Sequence, residues 1–222
     1  MARGCIVTGT DTGIGKTVLA AGIAGRLAAV HGGARYWKPV QAGLDDETDS
    51  QTIARLAPGV TILPEAYRLA TPASPHHAAT LDGVTIDPLR LAQPLDDTPL
   101  VVEGAGGVLV PLGDDLLFAD MFVGWGLPVV LAARTTLGTI NHTLLSLEAL
   151  RARGIAVAGV AFVDAVPSAP KSAPKSAAEL ASMAAIAHHG NIRIVGHLGW
   201  LSPLTPATLA KAMASFDLEA LL

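Results

Sequence analysis

Short runs of apolar residues alternate along the chain with longer segments in which apolar residues recur at helical spacing. The short runs predict buried β-strands over residues 5–8, 35–38, 100–103, 128–133, 155–163 and 193–196. The longer segments predict helices over residues 16–30, 49–57, 118–124 and 138–153. Strands that are apolar throughout and separated by helices are typical of a parallel sheet covered on both faces. The pattern therefore predicts an α/β fold, with a mostly parallel central sheet and helices on both faces.

Two segments fall outside this alternation. Residues 64–97 are rich in proline and show only weak periodicity, apart from the start of a helix at Ser74 and Pro75. Residues 167–176 form a small repeat of proline, serine, alanine and lysine, which predicts a mobile surface loop. A length of 222 residues fits one domain spanning residues 1–222.

Composition excludes several classes of function. The chain carries 15 lysines and arginines against 19 aspartates and glutamates, which argues against nucleic-acid binding through bulk basic charge. Its one cysteine, Cys5, excludes an intrachain disulfide or a multi-cysteine metal site. The longest strongly apolar run, residues 127–133, is too short to span a bilayer. We therefore expect a cytoplasmic protein that binds neither nucleic acid nor membrane.

The strongest chemical signal lies between the first predicted strand and the first predicted helix. It comprises Gly9, Thr10, Asp11, Thr12, Gly13, Ile14, Gly15, Lys16 and Thr17. A glycine-rich turn in this position presents backbone N–H groups to phosphates, while the lysine reaches the terminal phosphates and the threonine hydroxyl can bind Mg²⁺. The segment predicts a P-loop NTPase-like domain; the alternative is a glycine-rich turn without a ligand.

The spacing of this loop departs from the simple Walker pattern. Thr10 stands where the first glycine is expected, and the loop is one residue longer. Asp11 occupies the position at which partition and division-site ATPases carry a signature lysine. The absence of that lysine argues against a switch ATPase that reaches across a dimer.

Charged residues end two further predicted strands. Lys38 ends the second strand, and Glu103 ends the third, just before a glycine-rich stretch that includes Gly106 and Gly107. Ligands of parallel sheets bind at the carboxyl ends of the strands, so we expect both side chains at the crevice of the phosphate loop. Two lysines, Lys16 and Lys38, can hold a substrate anion beside a phosphate, and Glu103 suits Mg²⁺.

Two weaker signals of a binding site can also be explained by ordinary helix capping. Asp49 is a second candidate for Mg²⁺, but taken alone it is explained better as part of a helix cap. Residues 136–143 place a glycine and small polar side chains at a helix start, where free N–H groups can bind a carboxylate. Taken alone, that segment is explained better as a capped helix.

Taken together, these motifs resemble those of the dethiobiotin synthetases, the ATP-dependent enzymes of the penultimate step of biotin synthesis. The matching stretches occur in the family's order and cover most of the chain: residues 9–17, 38–43, 74–76, 103–107 and 137–142. The resemblance implies 7,8-diaminononanoate and CO₂, supplied as bicarbonate, as substrates. A carbamate would form on one amine and be phosphorylated by ATP, and the second amine would close the ring with release of ADP and phosphate.

The resemblance also implies a role for each matching residue. Catalysis would fall to Lys16, Lys38 and Thr12, and Mg²⁺ to Thr17, Asp49 and Glu103. ATP would contact the loop from Gly9 to Thr17, together with Glu103, Gly106, Gly107 and Val163. The substrate would contact Lys38, Ala42, Ser74, Leu137, Gly138, Thr139 and Asn141. In the family the helix start at residues 137–141 serves the neighbouring subunit, which implies a homodimer with shared sites.

Three positions depart from the family's pattern. Gly13 replaces a glutamate, Ala42 replaces a hydroxyl-bearing residue, and Val163 stands where an asparagine usually reads the adenine base. The last change predicts a relaxed preference among nucleotides. The competing interpretations are another P-loop amidoligase, a partition-type ATPase, or a regulatory module that binds nucleotide without turnover.

Overall fold

The computed structural model describes residues 4–94, 96–164 and 177–221. The strands over these residues are β1 (Gly4–Gly9), β2 (Ala34–Trp37), β3 (Val40–Ala42), β4 (Val60–Ile62), β5 (Tyr67–Leu69), β6 (Leu100–Gly107), β7 (Pro111–Gly113), β8 (Leu116–Leu117), β9 (Val129–Ala133), β10 (Val157–Val163) and β11 (Ile194–Leu198). The α-helices are α1 (Lys16–His31), α2 (Asp49–Leu56), α3 (Pro75–Leu81), α4 (Phe118–Trp125), α5 (Thr139–Arg151), α6 (Ala177–His189) and α7 (Pro206–Met213). The loop predicted over residues 167–176 lies outside the described residues.

Seven of the strands form one parallel sheet, in the order β11-β10-β9-β1-β6-β2-β4. Strand β1 lies in the middle, between β6 and β9, and the chain therefore leaves it at the point where the strand order changes direction. This is the position at which open α/β sheets bind ligands. Two small sheets, parallel β3-β5 and antiparallel β7-β8, lie beside the main one. The predicted mostly parallel sheet is confirmed.

Successive residues of the central strands point to opposite faces of the sheet, and each face has its own apolar core. Val7 and Val101 pack on one face with residues of α1, α2 and α7. Ile6 and Val102 pack on the other face with residues of α3, α4, α5 and α6. Helices therefore cover both faces, as predicted. None of the helices in the described part of the chain has the length and apolar character needed to cross a membrane.

The prediction was least complete where elements are short. Residues 64–97 contain β5, α3 and a 3₁₀ turn at Pro88–Leu91, and the helix start at Ser74 and Pro75 is confirmed. The pattern also missed β4, α6 and α7, because a three-residue strand carries almost no periodicity and alanine-rich helices lack a marked apolar stripe. Several predicted boundaries were wrong by a few residues, as at β2, which ends at Trp37, and β10, which begins at Val157.

Candidate active site

A cleft of about 550 Å³ opens at the carboxyl ends of β1, β2 and β6. It lies where the strand order predicts a ligand site. Many of the residues singled out in the sequence line it together: Thr12, Gly13, Gly15, Lys16, Thr17, Lys38, Ala42, Asp49, Ser74, Glu103 and Gly106. The structure therefore brings the phosphate loop and the two strand-end charges to one place.

The phosphate loop takes its shape from glycines and one buried side chain. Gly15, the last residue before α1, has a φ of 88°, which a residue with a side chain rarely adopts. A Cβ at Gly9 would lie 2.5 Å from Cδ1 of Ile14, whose side chain is buried in the core. Thr10 donates its N–H to the carbonyl of Ala132 at 3.0 Å, which ties the loop to β9. The loop is thus fixed at both its start and its end.

Lys16 lies against the loop that precedes it. Its Nζ donates to the backbone oxygen of Asp11 at 2.8 Å, and the side chain is largely buried. Burial lowers the pKa of the Lys16 ammonium to about 8, although the nearby Glu103 acts in the opposite direction. An arriving phosphate would raise that pKa again, because an opposite charge favours the protonated form.

Asp11 links the outer turn of the loop to the chain beyond β9. One oxygen of its carboxylate accepts the N–H of Thr12 at 2.7 Å, and the other pairs with the guanidinium of Arg134. Sequence reasoning missed Arg134, although its position directly after an apolar strand, at the ligand-binding edge, was a usable signal. Asp11 occupies the position of the signature lysine of partition-type ATPases. In this chain it is paired with a cation of the same chain, Arg134.

Lys38 is buried between two carboxylates. Its Nζ lies 2.6 Å from Oδ2 of Asp49 and 3.2 Å from Oε1 of Glu103, and it also donates to the carbonyl of Gly104 at 3.1 Å. Burial alone would lower the pKa of Lys38, but the charges of Glu103 and Asp49 outweigh it and raise that pKa. Lys38 therefore stays charged although its side chain is buried.

The two carboxylates respond differently to the same surroundings. Burial raises the pKa of Asp49, but Lys38 and a hydrogen bond from Thr17 outweigh it, so the net shift is downward. Glu103 is more deeply buried, with its side chain 1% exposed, and there burial raises the pKa in spite of Lys38. Asp49 is thus the more firmly ionised of the two.

Thr17, Asp49 and Glu103, the three residues predicted to hold Mg²⁺, lie in contact in the cleft. The hydroxyl of Thr17 lies 2.7 Å from Oδ1 of Asp49 and 2.9 Å from Oε1 of Glu103. Within the described ranges there is no group of three or more His, Cys, Asp or Glu side chains that could hold a metal ion by itself. Mg²⁺ usually binds through one or two carboxylates together with substrate phosphates, so this donor set fits it.

The helix-cap interpretation of Asp49 is wrong. Thr48 is the N-cap of α2, and it forms a capping box with Gln51. The side chain of Asp49 instead reaches Thr17 and Lys38. Sequence reasoning could not separate the two, because both residues are good caps and the partners of Asp49 are distant in the chain.

Two further polar residues contact Glu103 and Asp49, one at the carboxylate and the other at the backbone, and neither was predicted as a site residue. Tyr36 donates its hydroxyl to Oε2 of Glu103 at 2.8 Å. Gln41 accepts the backbone N–H of Asp49 at 3.2 Å and lines the cleft. The usable signal for Tyr36 was its spacing from Lys38, since residues two apart in an extended segment point the same way.

Val163 lies in a second, smaller cleft of about 250 Å³ that shares Gly13 and Gly15 with the first. A Cβ at Gly15 would lie 2.6 Å from Cγ1 of Val163, so the end of β10 packs against the phosphate loop. Asp164 lines the same cleft and accepts the hydroxyl of Thr135 at 2.8 Å. The position predicted for the nucleotide base is thus next to the loop.

The predicted carboxylate-binding segment lies apart from both clefts. Neither cleft is lined by residues 137–141. Leu137 is fully exposed, whereas Thr139 is buried and donates its hydroxyl to the carbonyl of Arg134 at 2.6 Å. Gly138 is the residue before α5, and the first N–H of that helix, of Thr139, donates to the carbonyl of Thr136 at 3.2 Å. The glycines after Glu103, by contrast, lie beside the loop, and a Cβ at Gly107 would lie 3.5 Å from the carbonyl of Gly9.

Comparison with known proteins shows the family of the chain. A family model described as an AAA domain matches residues 3–208. A protein from Rhodopseudomonas palustris (strain HaA2) named ATP-dependent dethiobiotin synthetase BioD is 64% identical over 216 residues, which are 96% of this chain and 93% of that protein. A protein of the same name from Agrobacterium fabrum is 54% identical over 211 residues, 94% of this chain and 92% of that one. The chain belongs to the dethiobiotin synthetase family. The resemblance drawn from the motifs is confirmed.

A more distant comparison supports the fold of this dethiobiotin synthetase family member. The crystal structure of a ParA family ATPase from Chlorobium tepidum TLS has a TM-score of 0.55 at 9% identity, and covers 99% of this chain and 93% of that one. Identity this low shows a shared fold and nothing about activity. The predicted P-loop NTPase-like architecture is confirmed.

The position of Lys16 generates a first prediction. Lys16→Ala removes a charge that we expect at the terminal phosphates of ATP and at their transition state, so turnover in a dethiobiotin-forming assay should fall by about 100-fold or more. The midpoint of thermal unfolding without ligands should change little, because the side chain makes one hydrogen bond to the loop.

Lys211→Ala is the matched control, since Lys211 is exposed on α7 and outside both clefts. It should leave turnover unchanged. Normal turnover of the Lys16 variant would contradict the assignment of the phosphate loop.

Proposed function

We propose that the protein uses ATP to carboxylate 7,8-diaminononanoate with CO₂ and to close the product into dethiobiotin. The observation that carries the proposal is the single cleft in which Lys16 of the phosphate loop, the buried Lys38 and two carboxylates lie together. The names of close relatives support the same activity. An intracellular, cytoplasmic setting without nucleic-acid or membrane partners belongs to this proposal.

The proposed reaction has three steps. One amine nitrogen attacks CO₂, forms a C–N bond and loses a proton to give a carbamate. A carbamate oxygen then attacks the γ-phosphorus of ATP, and the bond to the β-phosphate oxygen breaks with release of ADP. The second amine attacks the carbonyl carbon of the resulting mixed anhydride, loses a proton and displaces phosphate, which closes the cyclic urea.

The side chains of the cleft suit the charges that these steps develop. Lys38 is a cation whose charge two carboxylates maintain, so its positive potential can stabilise the carbamate. Lys16 can follow the transferring phosphoryl group from the loop. Thr12, Ala42 and Ser74 lie on the cleft wall, where the diamine would be bound.

Mg²⁺ belongs to the same proposal. Thr17, Asp49 and Glu103 would hold it together with the phosphates, and when bound it would neutralise charge on the triphosphate. The hydroxyl of Thr17 lies within hydrogen-bond distance of both carboxylates, so the three oxygen-bearing side chains are close together.

Phosphate release with and without 7,8-diaminononanoate and bicarbonate tests the function. We expect ATP-dependent phosphate release only when both are present, in step with dethiobiotin formed. ATP hydrolysis that ignores the diamine would favour a partition-type ATPase, and turnover with another carboxylate and amine would favour a different amidoligase. Nucleotide binding with no turnover would favour a regulatory module.

We also propose a homodimer in which the start of α5 binds the carboxylate of a substrate held by the neighbouring subunit. Asn141 and Leu145 are exposed four residues apart on one face of α5, and the exposed Leu137 lies just before that helix. Two exposed leucines beside an exposed helix start fit a surface that a second copy covers. The distance of this segment from the clefts of its own chain points the same way.

Shared sites predict complementation between inactive variants. Lys16→Ala disables the cleft, and Asn141→Asp places a carboxylate where the substrate carboxylate would bind. A mixed dimer of the two contains one intact site, so random exchange of subunits should restore about a quarter of the wild-type rate per subunit.

Mixing Lys16→Ala with Lys38→Ala is the control, because both residues belong to the cleft of one chain and every site in the mixture stays damaged. Heterodimers of Lys16→Ala and Asn141→Asp that form and remain inactive would rule out the shared site.

Val163, at the position predicted for the nucleotide base, predicts a relaxed preference among nucleoside triphosphates. Val163 offers no hydrogen bond to a base, and loss of a two-point contact typically costs about 1–3 kcal/mol of discrimination. Triphosphate binding through the loop and the carboxylates would persist. We expect CTP or GTP to support turnover within about two orders of magnitude of ATP, measured as specificity constants at saturating diamine and bicarbonate.

Val163→Asn is the matched variant and should increase the preference for ATP. A preference above about a thousandfold in the unaltered protein is too large for this loss of contact. It would show that another group, such as the neighbouring Asp164, reads the base.

A further inference from the structure

A buried tyrosine holds one of the two carboxylates of the cleft from behind. Tyr36 has no exposed surface and does not line the cleft. Its hydroxyl nevertheless donates to Oε2 of Glu103 at 2.8 Å. Among the contacts of the site, this one reaches the carboxylate from the core of the protein.

The two oxygens of Glu103 have separate sets of donors. Oε1 lies 2.9 Å from the hydroxyl of Thr17 and 3.2 Å from Nζ of Lys38, both of which line the cleft. Oε2 receives the hydroxyl of Tyr36 from the opposite side. A carboxylate bonded at both oxygens cannot turn about its last torsion without losing a hydrogen bond. The arrangement therefore keeps Oε1 directed at the cleft.

The register of the sheet explains why Tyr36 can reach Glu103. Tyr36 pairs with Val101 across β2 and β6, so its side chain emerges on the face that also carries Glu103 two residues later. The long phenol spans that offset. Tyr36 also packs in the core formed with α1 and α2, which fixes the ring and leaves only the hydroxyl near a polar partner.

We propose that Tyr36 is a positioning residue for Mg²⁺–nucleotide binding: its hydroxyl orients Glu103 so that Oε1 faces the cation. The inference rests on the proposed function in giving Glu103 that role. Partners that orient a metal-binding side chain without touching the metal commonly change metal affinity by about 10- to 100-fold when removed.

Tyr36→Phe tests this by removing a single oxygen atom. The readout is calorimetric binding of ADP over a series of Mg²⁺ concentrations, which needs neither diamine nor turnover. We expect the Mg²⁺ concentration for half-maximal enhancement of ADP binding to rise by about tenfold. ADP affinity with the metal chelated should stay unchanged.

The chain supplies its own control, since Tyr36 and Tyr67 are its two tyrosines. Tyr67 is also buried, and its hydroxyl accepts the N–H of Asp87 at 2.8 Å, away from both clefts. Tyr67→Phe removes a buried hydrogen bond of similar length and should not alter the Mg²⁺ dependence. Thermal unfolding of both variants shows whether the folded state is retained.

Repeating Tyr36→Phe in a protein that already carries Glu103→Gln tests whether Tyr36 acts through Glu103. With Glu103→Gln already present, Tyr36→Phe should add no more than about a twofold change, because the carboxylate on which it acts is gone. A Mg²⁺ dependence like that of Tyr67→Phe, or an equal loss of ADP affinity with and without Mg²⁺, would overturn the proposal. If the unaltered protein does not consume the diamine, the proposed function is contradicted. The comparison of Mg²⁺ dependence between Tyr36→Phe and Tyr67→Phe can still be made, because it measures ADP binding alone.

Discussion

The buried contact of Lys38 with Asp49 and Glu103 is the constraint on which the rest of the site depends. An ammonium that is 5% exposed is tolerated only with opposite charge beside it, and here it has two carboxylates and a backbone carbonyl. These groups belong to the end of β2, the start of α2 and β6. The requirement to pair one charge therefore fixes three elements relative to one another, directly beside the phosphate loop.

The formal charges of this cluster cancel before any ligand arrives. Lys16 and Lys38 carry two positive charges, and Asp49 and Glu103 carry two negative charges. A triphosphate that enters such a site adds negative charge, and the four side chains have no net positive charge to balance it. Only the backbone N–H groups of the loop and the start of α1 favour an anion there. In the proposed function, a divalent cation held by the two carboxylates would offset this charge. The two carboxylates would then support phosphate binding through the cation, although their own charge is negative.

How much of this could be predicted depends on distance along the chain. The phosphate loop was predictable because Gly9 to Thr17 are contiguous and their chemistry is local. Lys38 and Glu103 were predictable as strand ends in an alternating pattern, since parallel strands end at the same edge. The pattern could have drawn attention to the positions of Tyr36 and Arg134, but their partners depend on strand register and on the path of the loop, which no local pattern encodes. The contacts of Asp49 were hidden for the same reason, because a good cap and a magnesium ligand look alike in sequence.

The two lysines of the cleft differ in how firmly the folded protein maintains their positive charge, and this difference suits them to different roles. Lys38 is held charged by carboxylates that remain in place, so its positive potential is a permanent feature of the folded chain. Lys16 has a pKa lowered to about 8 by burial and donates only to a backbone carbonyl, so its charge is less strongly maintained until an anion approaches. A phosphate that takes the place of the Asp11 carbonyl would both capture this side chain and stabilise its proton. This difference supports the proposed division, in which Lys38 would receive the substrate anion and Lys16 would follow the transferring phosphoryl group of the nucleotide.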